Sequence, residues 1–135
     1  MKPAEIQVRS RSRCEMIDIT AEVSSLLKNA GVQNGRLTLF TPHTTAALTI
    51  NENADPNVTR DILYGLAQLI PVDPAFRHAE GNSDAHIKSS LVGASETLLI
   101  ENGRPLLGTW QGIYFCEFDG PRSRRVLIHW DDVTA

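Results

Sequence analysis

The chain has 135 residues, 41% of them hydrophobic and 21% charged, with a formal net charge of −3. That size and composition suit one soluble domain over residues 1–135, which buries roughly 68–70% of its unfolded surface without staples. The slight acidity offers no bulk attraction to nucleic acid or anionic membrane, and no window approaches the ~20 apolar residues of a membrane helix.

The first residues, Met1 to Glu5, lack the apolar stretch of a signal peptide, so a cytoplasmic location is expected. Residues 5–12 alternate, with Ile6 and Val8 between Glu5, Gln7 and Arg9, which predicts a strand with one wet face. Met16, Ile17 and Ile19 predict a second short strand. Thr20 then reads as the cap of a helix over about 21–30, closed by Gly31. Residues 36–41 return to strand, Pro42 interrupts it, and Ala46 to Ile50 form the next strand. Asp55 caps a helix with Pro56 at its first position. Val58, Ile62, Leu63, Leu66, Leu69 and Ile70 make its apolar stripe, and Pro71 ends it. Residues 71–85 are a polar loop, followed by a short helix from His86 to Leu91 capped by Ser83 or Asp84. Strands over 96–101, 109–118 and 124–130 complete the chain, with Asn102-Gly103 and Asp119-Gly120 as hairpin turn signals. This order predicts an α+β fold with a largely antiparallel, β-sandwich-like sheet and two or three helices. Cys14 and Cys116 form no C-x-x-C pair and read as buried thiols of a reducing compartment.

Three runs carry chemistry. Thr41-Pro42-His43-Thr44-Thr45 sets a histidine and three hydroxyls at an interrupted strand, where side chains are re-aimed into a cleft. In the run from His78 to His86, the residues His78, Glu80, Asn82, Asp84 and His86 occupy alternate positions. They share one face of an extended segment, apart from a bend at Gly81. Histidine with carboxylate favours Zn²⁺ or a similar ion, with His43, His78, His86 and Asp84 as the candidate ligands. The helix start at 84–87 favours an anion instead, unless Asp84 merely caps it. In the strand at 109–118, Gln111 and Glu117 read as buried polar groups on a strand covered on both sides. Glu117 is then either an acid/base group or the partner of Arg122 or Arg124. Arg122, Arg124 and Arg125 suit phosphate or carboxylate better than nucleic acid, because the remaining charge is acidic and no nucleic-acid motif is present. Trp110 and Trp130 read as core or interface residues.

Five runs together resemble one family: His43-Thr44-Thr45-Ala46, Glu52-Asn53-Ala54-Asp55-Pro56, the nine residues His78 to His86, Leu107-Gly108-Thr109-Trp110-Gln111, and Glu117-Phe118-Asp119-Gly120-Pro121-Arg122-Ser123-Arg124. They are similar to the YjbQ-type family, in the family's order and over nearly the whole chain. The resemblance implies a compact α+β fold, a homotrimer, and a pocket near the subunit interface lined by His43, Glu52, His78, Asn82, Asp84 and His86. Members are often named secondary thiamine-phosphate synthases, and many are uncharacterised.

Two functional expectations follow. In the first, the chain acts on a small phosphorylated metabolite. His43, His78, His86 and Glu52 are the catalytic set, Thr44, Asn82, Arg122 and Arg124 hold the anion, and a divalent metal, Zn²⁺ or Mg²⁺, assists. In the second, the same pocket binds a metal or an anionic metabolite without turnover, since no P-loop, nucleophile elbow or dinucleotide fingerprint is present.

Overall fold

The computed structural model describes residues 2–133. Its elements run β1 (Ala4–Arg9), β2 (Glu15–Asp18), α1 (Thr20–Ala30), β3 (Gly35–Phe40), β4 (Ala46–Glu52), α2 (Pro56–Leu69), α3 (Ser83–Val92), β5 (Ser95–Glu101), β6 (Arg104–Pro105), β7 (Gln111–Glu117) and β8 (Ser123–Asp132). The strands form two antiparallel sheets, one of five strands in the order β1-β8-β3-β5-β6 and one of three in the order β2-β7-β4. Together with three helices this is the α+β architecture that the element order predicts.

Alternation sets which face of each strand is dry. In β1, Ile6 and Val8 are buried while Glu5, Gln7 and Arg9 are exposed. The main core takes Ile6 and Val8 from β1, Leu37 and Leu39 from β3, Val126 and Ile128 from β8, Leu48 from β4 and Ile113 and Phe115 from β7, with Val23 and Leu27 of α1. A second cluster lies on the other face of the three-stranded sheet, where Ala47, Tyr114, Cys116 and Phe118 meet Ala85 of α3 and Leu63 and Leu66 of α2. β7 is therefore covered on both faces, as its two apolar faces predict.

Local signals place most boundaries. Asp55 accepts a hydrogen bond from the Asn57 N–H at 2.9 Å and Pro56 opens α2. Asn102 and Gly103 both hold positive φ, 53° and 77°, the combination a tight two-residue hairpin between β5 and β6 requires. The two-residue β6 carries no sequence signal of its own.

Several expectations are corrected. Asp119-Gly120 is not a hairpin turn, because β7 and β8 belong to different sheets and do not pair. Gly120 serves close approach instead. A Cβ there would lie 2.3 Å from the Ser12 carbonyl oxygen and 2.7 Å from Ser10 Oγ. Thr20 does not cap α1 by its side chain. Its Oγ1 accepts from the Ile113 N–H at 2.8 Å, while Asp18 Oδ1 takes the Thr20 N–H. α3 begins at Ser83 rather than His86, with Asn82 at its N-cap position and no side-chain cap. Gln111 is exposed and bonds the Gly108 N–H. Of the two places open to Trp110, core or interface, its 63% exposure ahead of β7 excludes the core. The apolar stripe of α2 is only half covered. No residue of α2 is fully buried, and Leu69 is 77% exposed. Among the described residues no helix is long and apolar enough to cross a membrane.

Three chain passages lead from one sheet to the other and meet at one corner: residues 10–14 between β1 and β2, 41–45 between β3 and β4, and 118–122 between β7 and β8. The Ser10 N–H bonds the Arg122 carbonyl at 3.0 Å, the Gly120 N–H the Arg13 carbonyl at 2.9 Å, and the Phe118 N–H the Thr45 carbonyl at 3.1 Å.

Candidate functional site

A cleft of about 430 Å³ opens at this corner, lined by residues of the 41–45 and 118–122 passages, the loop before α3, and α3 itself. It brings together His43, Thr44, His78, Asn82, His86, Arg122 and Arg124, seven of the residues predicted for the site. Glu80 lines it too. The volume falls within the usual range for small-molecule pockets.

Beneath the cleft lies a buried ion pair. Glu117 is fully buried and Arg124 nearly so, and the two bond directly through Arg124 Nε at 2.8 Å and through its terminal nitrogen. Glu117 also accepts from Ser10 Oγ at 2.7 Å and from the Asp119 N–H at 3.0 Å. Burial pushes the Glu117 pKa up, but the bonds from Arg124, Ser10 and Asp119 overcome it and hold the carboxyl below its usual 4.5. Of the two roles open to Glu117, the structure supports the Arg124 ion pair. Arg124 reaches on to Thr45 Oγ1 at 2.9 Å, so it ties two of the passages together.

His43 is held by the neighbouring strand. Its Nε2 accepts the Arg125 backbone N–H at 3.0 Å, which fixes the neutral ring with its proton on Nδ1. Burial first, then the Arg124 charge, lowers its pKa from 6.5. At neutral pH His43 is thus an uncharged donor, not a free base. His78 and His86 meet edge to face with ring centroids 5.4 Å apart, and His78 Nε2 lies 3.9 Å from Glu80 Oε2.

Asp119, which the sequence places in a turn signal and in the run Glu117 to Arg124, is the hub of the rim. Its Oδ2 accepts from Asn82 Nδ2 at 2.8 Å and from Arg122 at 2.9 Å. The dense polar run from Asp119 to Arg124 is the only signal that marks it. Ser10 and Arg13, from the first passage, have no sequence signal, because their partners lie 107 and 71 residues away.

Two predicted site residues stand apart from the cleft. Asp84 is buried in the first turn of α3 and faces Arg13 through two bonds of 3.1 Å, with Lys88 Nζ at 3.6 Å. Burial raises its pKa, but the bonds and charge of Arg13, with Lys88, hold it below 3.8. Glu52 ends β4, six residues beyond Ala46, and strand rise puts it roughly 20 Å from the 41–45 passage. The four expected metal ligands therefore do not assemble. Asp84 is engaged by Arg13, His43 Nε2 by Arg125, and among the described residues no three His, Cys, Asp or Glu side chains gather to hold a metal ion.

A family model described as UPF0047 protein YjbQ-like matches residues 4–132. The chain belongs to the YjbQ-like UPF0047 family. A UPF0047 protein of Methanocaldococcus jannaschii is 54% identical over 122 residues, 90% of this chain and 88% of that one. The UPF0047 protein YugU of Bacillus subtilis is 53% identical, over 91% of this chain and 94% of its own length. In structure, the chain resembles an uncharacterised YjbQ/UPF0047 protein of Clostridium acetobutylicum, with a TM-score of 0.91 at 51% identity over 95% of this chain and 99% of that one. It also resembles a hypothetical protein of Aeropyrum pernix, with a TM-score of 0.92 at 34% identity over 98% of this chain and 100% of that one. The two sheets and three helices are those of the YjbQ-like fold.

Proposed function

We propose that the corner cleft binds a small phosphorylated metabolite and turns it over by histidine acid–base chemistry, with a secondary thiamine-phosphate synthase reaction as the specific activity to assay. The observation that carries this reading is the convergence of His43, Thr44, His78, Asn82, His86, Arg122 and Arg124 on one cleft from positions up to 81 residues apart. Arg122 has donors to spare for a phosphate. Arg124, neutralised by Glu117, sets the floor rather than supplying free charge.

In thiamine-phosphate synthesis the carbon–oxygen bond of a pyrimidine carbinyl pyrophosphate breaks and pyrophosphate leaves with the electron pair. The thiazole nitrogen then forms the new carbon–nitrogen bond. His78 or His86 supplies a proton to the leaving pyrophosphate, and Arg122 balances its charge. Mg²⁺ or Zn²⁺ belongs to this reading as a companion of the substrate's phosphates. The test is pyrophosphate release from these two substrates by wild type and by His86→Ala. Activity lost in the variant supports the reading, and wild-type rates in it remove the histidine pair from the mechanism. Metal analysis of the purified protein tests the cation.

A second reading, a pocket that binds an anionic metabolite without turnover, is favoured by the occupied Nε2 of His43. Saturable binding with no product over time would select it. The proposal extends to a cytoplasmic homotrimer, in which Glu52 of one copy reaches the cleft of another. Light scattering on the eluting protein tests the trimer.

A further inference from the structure

We infer that the cleft reads two groups on one ligand: an anion at Arg122 and, a few bonds away, an N–H or O–H donor received by Asn82 Oδ1. The inference rests on the phosphorylated-metabolite reading and adds the second group to it.

Asn82 Oδ1 is the one buried side-chain nitrogen or oxygen atom without a hydrogen-bond partner among the described residues, and Asn82 is only 7% exposed. Buried polar atoms left unpaired are rare in folded proteins, and each asks for an explanation. The identity of the free atom follows from its neighbour. A carboxylate only accepts, so the amide atom 2.8 Å from Asp119 Oδ2 is the NH₂ group, and the atom left over is the oxygen. Asn82 lines the cleft, and its unpaired, buried oxygen calls for a donor.

The location sharpens the point. Asn82 holds the N-cap position of α3, where asparagine ordinarily accepts from the helix's own N–H groups, yet it makes no such bond. Asp119 draws the side chain the other way, and rotation into the capping position would give up that charge-assisted bond. The same Asp119 oxygen takes Arg122 at 2.9 Å, so amide and guanidinium sit side by side on one atom. Asp119 uses two of the guanidinium donors, Nε and one N–H of Nη2, and three remain for an anion. A ligand with its anionic group and its donor separated by roughly two to four bonds spans this pair at ordinary hydrogen-bond lengths.

The experiment titrates the protein calorimetrically with ethyl phosphate, 2-hydroxyethyl phosphate and 2-aminoethyl phosphate, which share the anion and differ in the donor. The hydroxyl compound should bind severalfold and the ammonium compound roughly tenfold or more tightly than ethyl phosphate. All three should weaken together in Arg122→Ala. In Asn82→Ala the ratios should collapse toward one, whatever the absolute affinities, which separates Asn82 from the general pull of Glu80 on a cation. Equal affinities in wild type, or a preference that persists in Asn82→Ala, overturn the inference and leave phosphate binding standing. Failure of all three probes to bind overturns the phosphate reading itself. Equal affinities of ethyl phosphate and 2-hydroxyethyl phosphate in wild type overturn the inference even if Asn82→Ala does not fold, because neither carries a cation for Glu80 to attract.

Discussion

Replacing Glu117 by glutamine tests the floor of the cleft. The change removes one charge and turns an NH₂ group toward donors, while Arg124 stays buried at 6% exposure with no anion beside it. Breaking one partner of a buried pair costs about 3–5 kcal/mol. For a domain of this size each kcal/mol moves the midpoint by roughly 3–5 °C, so the thermal midpoint should drop by roughly 10–20 °C. The companion Glu117→Leu/Arg124→Met, which removes both charges, should recover at least half of that loss. The pH dependence has a defined sign. The folded carboxyl titrates below its usual 4.5, so its contribution is present above that value and lost as pH falls through the folded pKa. Glu117→Gln should therefore flatten the acid limb of the stability curve. Differential scanning calorimetry from pH 3 to 7, at roughly unit intervals, measures all three. A midpoint within about 2 °C of wild type, or a double variant no better than the single, would refute the ion-pair account.

Further outcomes follow from the same corner. The His43 ring should show its proton on Nδ1 in long-range proton–nitrogen spectra and titrate below 6.5, so that its contribution to stability holds above that value and is lost as pH falls; a proton on Nε2 would contradict the bond from Arg125. Gly120→Ala should destabilise by about 2 kcal/mol or more in urea unfolding, because its Cβ would meet the Ser12 carbonyl, and a neutral result would mean the passage shifts freely. Burial, with a contribution from Glu96, pushes the Cys116 thiol up to about 12, so it should resist alkylation at pH 8 until the protein unfolds, whereas fast labelling of the folded protein would place it at the surface.

What the sequence discloses and what it hides divide along a physical line. Local rules place the alternation of β1, the Asp55-Pro56 start of α2 and the Asn102-Gly103 turn, because each depends on residues within a few positions. The histidines stand out for the same reason: short runs dense in His, Asn and carboxylates are unusual for a mere loop. The jobs of the charged residues are hidden, because they depend on partners brought in by topology. Asp84 looks like a metal ligand until Arg13 is placed beside it, and Asp119-Gly120 looks like a hairpin until β7 and β8 fall into separate sheets. Glu52 shares a family motif with Asn53 to Pro56, yet β4 carries it away from the cleft. Trp110 reads as core or interface, and only its place one residue ahead of β7, 63% exposed, excludes the core.

The meeting of three sheet-to-sheet passages at one corner bears on the order in which the molecule matures. The bonds that Ser10 and Thr45 make to the Glu117–Arg124 pair cannot form until both sheets stand and distant parts of the chain have come together, across separations of 107 and 79 residues. Long loop closures of this kind come late in folding. The cleft is then a completion signal: a partly folded chain has no means of forming it, and any ligand it binds selects the finished molecule. Occupancy should slow exchange at amides throughout both sheets, not only at the rim.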